Sequence, residues 1–441
     1  MAIGAGAAPR IAGQALGVKG VFAAVLGNGF EFFDFTVYAT FLGMIGKAFF
    51  PSDNPLVSDL ASAATFGVGF VARPLGGALI GAYGDRAGRR PAMTLSIGLM
   101  AIACAMIALT PGYATIGVSA PIVLILARLL QGFSVGGEIG PATMFLLEAA
   151  PASRRIFFSS WQIASQNLGA VAGGLLGFLL ALGLSQSSFN AWGWRVPFAL
   201  GVLIAPVGAY IRSRLVETLD SAAGDESKSG RAILSNVVRS NWTGLLLGLG
   251  LISGGTITQY FLLNMTPYAI RTLHLPDSTA MLGTVTLGIA GGAGALAGGL
   301  LADRWGIRAI AFAPRVLLML ALFPVMQFLA AHAAGATLIA AIAILTLLHS
   351  ASSAVGLMLI PLVFPPAVRA TGLALAYSLG VAIFGGTATY VVTWLVGATG
   401  NPLASTYYVM AANVVMLLAI LAVPRADYGT DAWPPPLSVE V

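Results

Sequence analysis

The chain has 441 residues, of which 58% are hydrophobic and 9% charged, with a formal net charge of +6 at pH 7. A soluble globular protein carries about 25% charged residues because its surface faces water, so this composition excludes a soluble enzyme or binding domain and puts lipid around most of the surface. One cysteine, Cys104, excludes an intrachain disulfide, and His274, His332 and His349 are too scattered to form a ligand motif, so neither a metal nor any other cofactor is expected.

Met1 to Lys19 lacks the small-residue cleavage pattern that ends a removed signal peptide, so the first apolar run is expected to be retained. A helix crossing a bilayer needs about 20 predominantly apolar residues. Twelve runs qualify, at 20–46, 57–84, 91–110, 119–148, 156–184, 195–212, 242–270, 279–302, 309–330, 336–363, 370–397 and 404–423. The 55 glycines suit helices that pack closely in lipid. The polar segment 213–241, with Glu217, Asp220, Asp225, Glu226 and Lys228, reads as a linker between a bundle in 1–212 and a second in 242–441. The expected fold is therefore all-α and membrane-embedded, with twelve transmembrane helices in two pseudo-symmetric six-helix bundles.

Lys and Arg collect in alternate connections. One set holds Arg86, Arg89 and Arg90, then Arg154 and Arg155, then Arg212 to Arg239, then Arg304 and Arg308, then Arg369; the opposite connections are nearly bare. The positive-inside rule then puts both termini in the cytoplasm of a multi-pass inner-membrane protein. The net charge is explained by those loops, and no nucleic-acid partner is implied.

The connection after the second run reads GAYGDRAGRR (81–90), and that after the eighth reads GLLADRWGIR (299–308), with Asp85 and Asp303 at equal positions. Two halves with matching loops mark a duplicated transporter, with substrate held between the halves. The G-x-x-x-D-R-x-G-R-R loop resembles the signature of the major facilitator superfamily. GNGFEFFDFTVY (27–38), VARPLGG (71–77), RLLQGFSVGGE (128–138) and WGWRVPF (192–198) resemble its metabolite:proton symporter branch. That branch includes permeases for citrate, tricarballylate, 2-oxoglutarate, shikimate and osmoprotectants. PGYATIGVSAP (111–121), SWQIASQ (160–166) and AIFGG (382–386) look most like the citrate and tricarballylate members. The resemblance implies proton-coupled uptake of a small organic anion, a di- or tricarboxylate such as citrate, by a monomeric carrier. Trp305 and Ile307 depart from the first loop's Ala87 and Arg89, and the tail lacks a long coiled coil, which argues against osmosensing.

Charges within spans are costly and mark function by default. Glu31 and Asp34 lie in the first run, Arg73 in the second, and Arg128 and Glu138 in the fourth. Asn28, Glu31, Asp34 and Tyr38 share an arc of about 120° on one helix, and Arg128, Gln131 and Glu138 one of about 80° on another. Gln162 and Gln166 share a stripe on the fifth. Three polar stripes in one half imply an aqueous cavity. Asp34 and Arg128 match in depth, and the resemblance makes them the proton-coupling pair, with Glu31 and Glu138 as further candidates. A substrate anion that captures Arg128 would free Asp34 to take a proton; the alternative is a static ion pair that fixes helix register. Glu31 is equally suited to a structural role, and Glu138 to a gate or a helix–helix hydrogen bond.

Arg73, beside Pro74, is a candidate for substrate carboxylate, with Arg128, Tyr38, Asn28, Gln162 and Gln166 around it. The two glutamines suit inter-helix hydrogen bonds nearly as well. Gln259, Tyr260 and Tyr377, with Thr256 and Asn264, are candidates from the second half, and His349 is either a satisfied polar residue or a titratable group near the cavity. Asp85, Arg86, Arg89 and Arg90, with Glu148, Arg154, Asp303 and Arg304, are expected to form a gate that stabilises one access state. No Walker A loop is present, which removes ATP-driven transport; a uniporter and a drug:proton antiporter are the rival readings, and Arg73 and Arg128 oppose a cationic substrate.

Overall fold

The computed structural model describes residues 28–29, 32–87, 89–136, 152–203, 239, 241–365 and 368–424. Glu31, Glu138 and Glu148 lie outside these residues, as does all of the 213–241 segment except 239 and 241. The side chains of Asp85, Arg86, Arg89 and Arg90 also lie outside them.

Each of the twelve expected runs contains helix, and no strand occurs among the described residues. The first half supplies α1 (residues 32–49), α2 (residues 55–87), α3 (Arg89–Leu109), α4 (Ser119–Val135), α5 (Arg155–Gly183) and α6 (residues 195–203). The second supplies α7 (Trp242–Arg271), α8 (Asp277–Trp305), α9 (Ile307–Ala331), α10 (Gly335–Val363), α11 (Thr371–Thr399) and α12 (Ala404–Ala422). The protein is an all-α membrane protein.

Local sequence sets several ends and bends. Asn54 caps α2, its Oδ1 accepting the Leu56 N–H at 3.0 Å, with Pro55 at the first helical position, where a missing N–H costs nothing. That helix breaks at Ala72 because Pro74 cannot donate to the carbonyl four residues back, and the break turns Arg73 inward. Gly306 joins α8 to α9 alone, at φ 91°, a left-handed conformation that favours glycine. A single π turn, Val381–Gly385, interrupts α11, and such turns often sit at functional sites.

Two seams join the halves. The first packs α5 along α8, and the second packs α2 along α11. A shift of six helices turns α5 into α11 and α2 into α8, so the seams are equivalent and the bundles are pseudo-symmetric. Glycine makes the close approaches possible: a Cβ on Gly288 of α8 would sit 2.6 Å from both the Asn167 carbonyl oxygen and the Val171 nitrogen of α5. A Cβ on Gly67 of α2 would overlap the Gly386 carbonyl of α11, and within the first half one on Gly132 of α4 would overlap the Gly69 carbonyl of α2. Without a hydrophobic effect between helices in lipid, such backbone-level packing is what holds them together.

Candidate transport site

Asp34 on α1 and Arg128 on α4 meet inside the first bundle, with Arg128 Nη1 at 3.3 Å from Asp34 Oδ2 and both residues buried. The same Nη1 donates to Gln131 Oε1 at 2.6 Å, one helical turn further along α4. The Cys104 thiol of α3 donates to Asp34 Oδ1 at 3.5 Å, and Gln131 Nε2 lies 3.7 Å from Cys104 Sγ, which closes a ring of four side chains. Aromatic rings surround the guanidinium: its carbon lies 4.5 Å from the Tyr38 centroid and 5.1 Å from those of Phe35 and Phe66. The ionic contact is longer than the best charge-assisted hydrogen bonds, which run about 2.7–2.9 Å, so Arg128 is shared between the acid and Gln131 rather than clamped to the acid.

A cavity open to solvent lies between the halves, lined by residues of both. Phe32 of α1, Arg73 of α2 and Gln166 of α5 line it from the first half. Thr256, Gln259 and Tyr260 of α7, His349 and Ser353 of α10 and Tyr377 of α11 line it from the second. None of the described lining residues is acidic. Arg73 is buried, 4.4 Å from the Phe70 centroid and 4.5 Å from that of Phe35, and its Nε and Nη2 have no hydrogen-bond partner among the described residues. A buried guanidinium with free donors is costly unless an anion completes it. Phe35 touches both guanidiniums, so the Asp34–Arg128 pair sits one aromatic ring behind the cavity wall.

Of the residues that the sequence singles out, Arg73, Gln166, Thr256, Gln259, Tyr260, His349 and Tyr377 line this cavity. Tyr38, Asn28 and Gln162 do not. The Tyr38 ring stacks against Arg128 and its hydroxyl donates to the Ser62 carbonyl at 3.3 Å. Asn28 Nδ2 donates to the Gln162 carbonyl at 2.8 Å and to Ser165 Oγ at 2.7 Å, tying α1 to α5. Arg128 is likewise behind the wall. Residues 28–38 use one polar stripe for two neighbours, the ion pair and the α5 backbone, and helical periodicity does not distinguish these from a cavity.

Both ends of the bundle carry contacts across the halves. At the end with the basic loops, Asp303 of α8 accepts the N–H groups of Ile156 and Phe157, each at 3.0 Å, at the start of α5. Arg154 and Arg304, expected in the same network, form no ion pair among the described residues; Arg304 lies 6.0 Å from the Trp305 ring centroid. At the opposite end Asp59 of α2 forms an ion pair with Arg271, the last residue of α7, and Arg271 Nη2 also donates to the Gly43 carbonyl of α1 at 3.4 Å. Asp59 is a further carboxylate inside an apolar run, a signal present in the sequence that is absent from the candidates above.

A citrate-proton symporter of Salmonella typhi is 34% identical over 405 residues, covering 91% of this chain and 93% of that one. The chain belongs to the major facilitator superfamily, within its metabolite:proton symporter family. The family model described as sugar (and other) transporter matches residues 20–219. A proline/betaine transporter of Escherichia coli K12 is 33% identical over 415 residues, covering 91% of this chain and 82% of its own. Among solved structures, a D-xylose-proton symporter superposes with a TM-score of 0.73 at 17% identity over 94% of this chain and 99% of its own, a likeness of fold.

Proposed function

We propose that the protein takes up a small di- or tricarboxylate such as citrate together with protons, across the bacterial inner membrane and by alternating access. The observation that carries the reading is Arg73: a buried guanidinium with two nitrogens unpartnered among the described residues, in a cavity whose described lining holds no carboxylate. An anion there gains a charge-assisted contact and meets no fixed negative charge among the described lining residues. The likeness to citrate-proton symporters points the same way.

In this reading Arg73 receives a substrate carboxylate and Gln166, Gln259 and Tyr377 orient the rest. The anion's field acts through the Phe35 layer on Arg128, whose shared hold on Asp34 and Gln131 lets it swing from the acid. Asp34 then takes a proton, and the neutral ring of Asp34, Cys104 and Gln131 makes the loaded carrier free to change access. Asp303 and the Asp85 loop act as the cytoplasmic gate, and Asp59–Arg271 as the outer one. The direct test is binding. Arg73→Gln is expected to weaken citrate by roughly 1.5–3 kcal/mol, about 10- to 150-fold, with only partial rescue by Lys, which lacks the planar fork. Unchanged citrate affinity in Arg73→Gln would overturn the assignment.

A second reading has its own support. Phe32, Tyr260 and Tyr377 line the same cavity, aromatic faces attract quaternary ammonium groups, and proline/betaine transporters are equally similar relatives. A zwitterion would set its carboxylate on Arg73 and its ammonium on those rings. Tyr377→Leu is then expected to weaken glycine betaine selectively, whereas for a carboxylate substrate it costs only a single hydrogen bond.

A further inference from the structure

The second half holds a charged group for which uptake of one carboxylate has no use. Arg315 on α9 is fully buried (0% exposed) and meets only neutral acceptors. Its Nε donates to Ser352 Oγ at 3.1 Å, Nη1 to Asn413 Oδ1 at 3.1 Å and to His349 Nδ1 at 3.2 Å, and Nη2 to Ser353 Oγ at 2.6 Å. Neither ion pair found among the described residues includes it. A guanidinium stays charged, and a buried charge with no counter-ion is costly in a lipid-embedded bundle. A tie between α9, α10 and α12 needs only neutral groups, so a static role does not account for the charge.

The hydrogen bonds run in one direction, toward the cavity. Arg315 has no acceptor, so His349 Nδ1 must accept. A neutral imidazole then carries its hydrogen on Nε2, which donates to Gln259 Oε1 at 3.1 Å. With that oxygen engaged, the amide N–H pair of Gln259 is what remains for a ligand. Ser353 Oγ accepts from Arg315, and the outlet for its hydroxyl hydrogen inside the cluster is a long 3.5 Å contact with His349 Nδ1, weak enough for a carboxylate in the cavity to take its place. Gln259, His349 and Ser353 all line the cavity. This wall therefore offers donors backed by a full positive charge, on the half opposite Arg73.

We propose that the Arg315–His349–Gln259–Ser353 cluster is a second carboxylate-binding site, which makes the cavity selective for substrates carrying at least two carboxylates. Gln259 and Ser353 make the contact; Arg315 and His349 are positioning residues that polarise and orient them. The inference rests on the carboxylate reading of the cavity, in which Arg73 holds the first carboxylate.

The test is a set of dissociation constants for purified protein with propane-1,2,3-tricarboxylate, glutarate and butyrate, which differ in carboxylate number. Gln259→Leu and Ser353→Ala are expected to weaken the tri- and dicarboxylates about 10-fold or more and to leave butyrate, held by Arg73, unchanged. Arg315→Lys should act in the same selective way if it folds. Equal changes for all three ligands, or no change for any, in the folded Gln259 and Ser353 variants would overturn the second site. Failure of the underlying reading looks different: the wild-type protein binds none of the three, or Arg73→Gln alters none of them.

Discussion

At the scale of single residues, chemistry depends on how Arg128 divides its donors. Its 2.6 Å bond to Gln131 is much shorter than its 3.3 Å contact with Asp34, so Gln131 is the group that receives the guanidinium when the acid is neutralised. Gln131→Leu removes that alternative and leaves Arg128 with Asp34 alone. It is expected to slow proton-coupled uptake while leaving citrate affinity within a few-fold, measured as initial rate against dissociation constant in the same preparation. The Asp34–Arg128 contact was legible because both residues are charges at matching depth in apolar runs. The destinations of Tyr38, Asn28 and Gln162 were not, because a polar stripe on one helix meets a cavity or a neighbouring backbone with the same periodicity. Asp59 pairs with Arg271 from the far half, and no local pattern joins two residues so distant in the chain. Arg315 is a charge in an apolar run, but its links to the cavity, through His349 and Ser353, exist only in the tertiary structure.

At the scale of helices, the apolar runs gave the number and order of elements, and the glycine content pointed to close packing. Which glycines carry the contacts depends on how helices cross, and that is set by tertiary structure. Gly132 and Gly67 are the informative pair, since a Cβ on either overlaps a carbonyl of the neighbouring helix. Gly132→Val lies within one bundle, so it should destabilise the protein, by about 1–3 kcal/mol as for overpacked cores, seen as a lower Tm in detergent. Gly67→Val sits on the seam between halves and should instead impair transport more than stability, because the seam must shift as access alternates. The break at Ala72 was half legible, from Pro74, whereas the π turn Val381–Gly385 had no sequence signal that helical periodicity could supply.

At the scale of the molecule, the proposed transport needs two bundles rocking about a cavity, with contacts at both ends that close and open in turn. Reporter fusions at residue 441 and in the 111–119 connection are expected to give opposite signals, because the basic loops mark one side. Asp85→Asn is expected to slow transport with citrate affinity within a few-fold, since the loop is remote from the cavity; complete loss of binding in a folded protein would contradict a gating role. Asp34 is the proposed carrier of the coupled proton. Asp34→Asn fixes the neutral state of that site, so the carrier should bind citrate and exchange it across the membrane. The deciding measurement compares citrate uptake into proteoliposomes under an imposed pH gradient with counterflow exchange, for wild-type and Asp34→Asn protein. The variant should exchange citrate without accumulating it; accumulation against the concentration gradient, with only the pH gradient to drive it, would rule out Asp34 as the proton site.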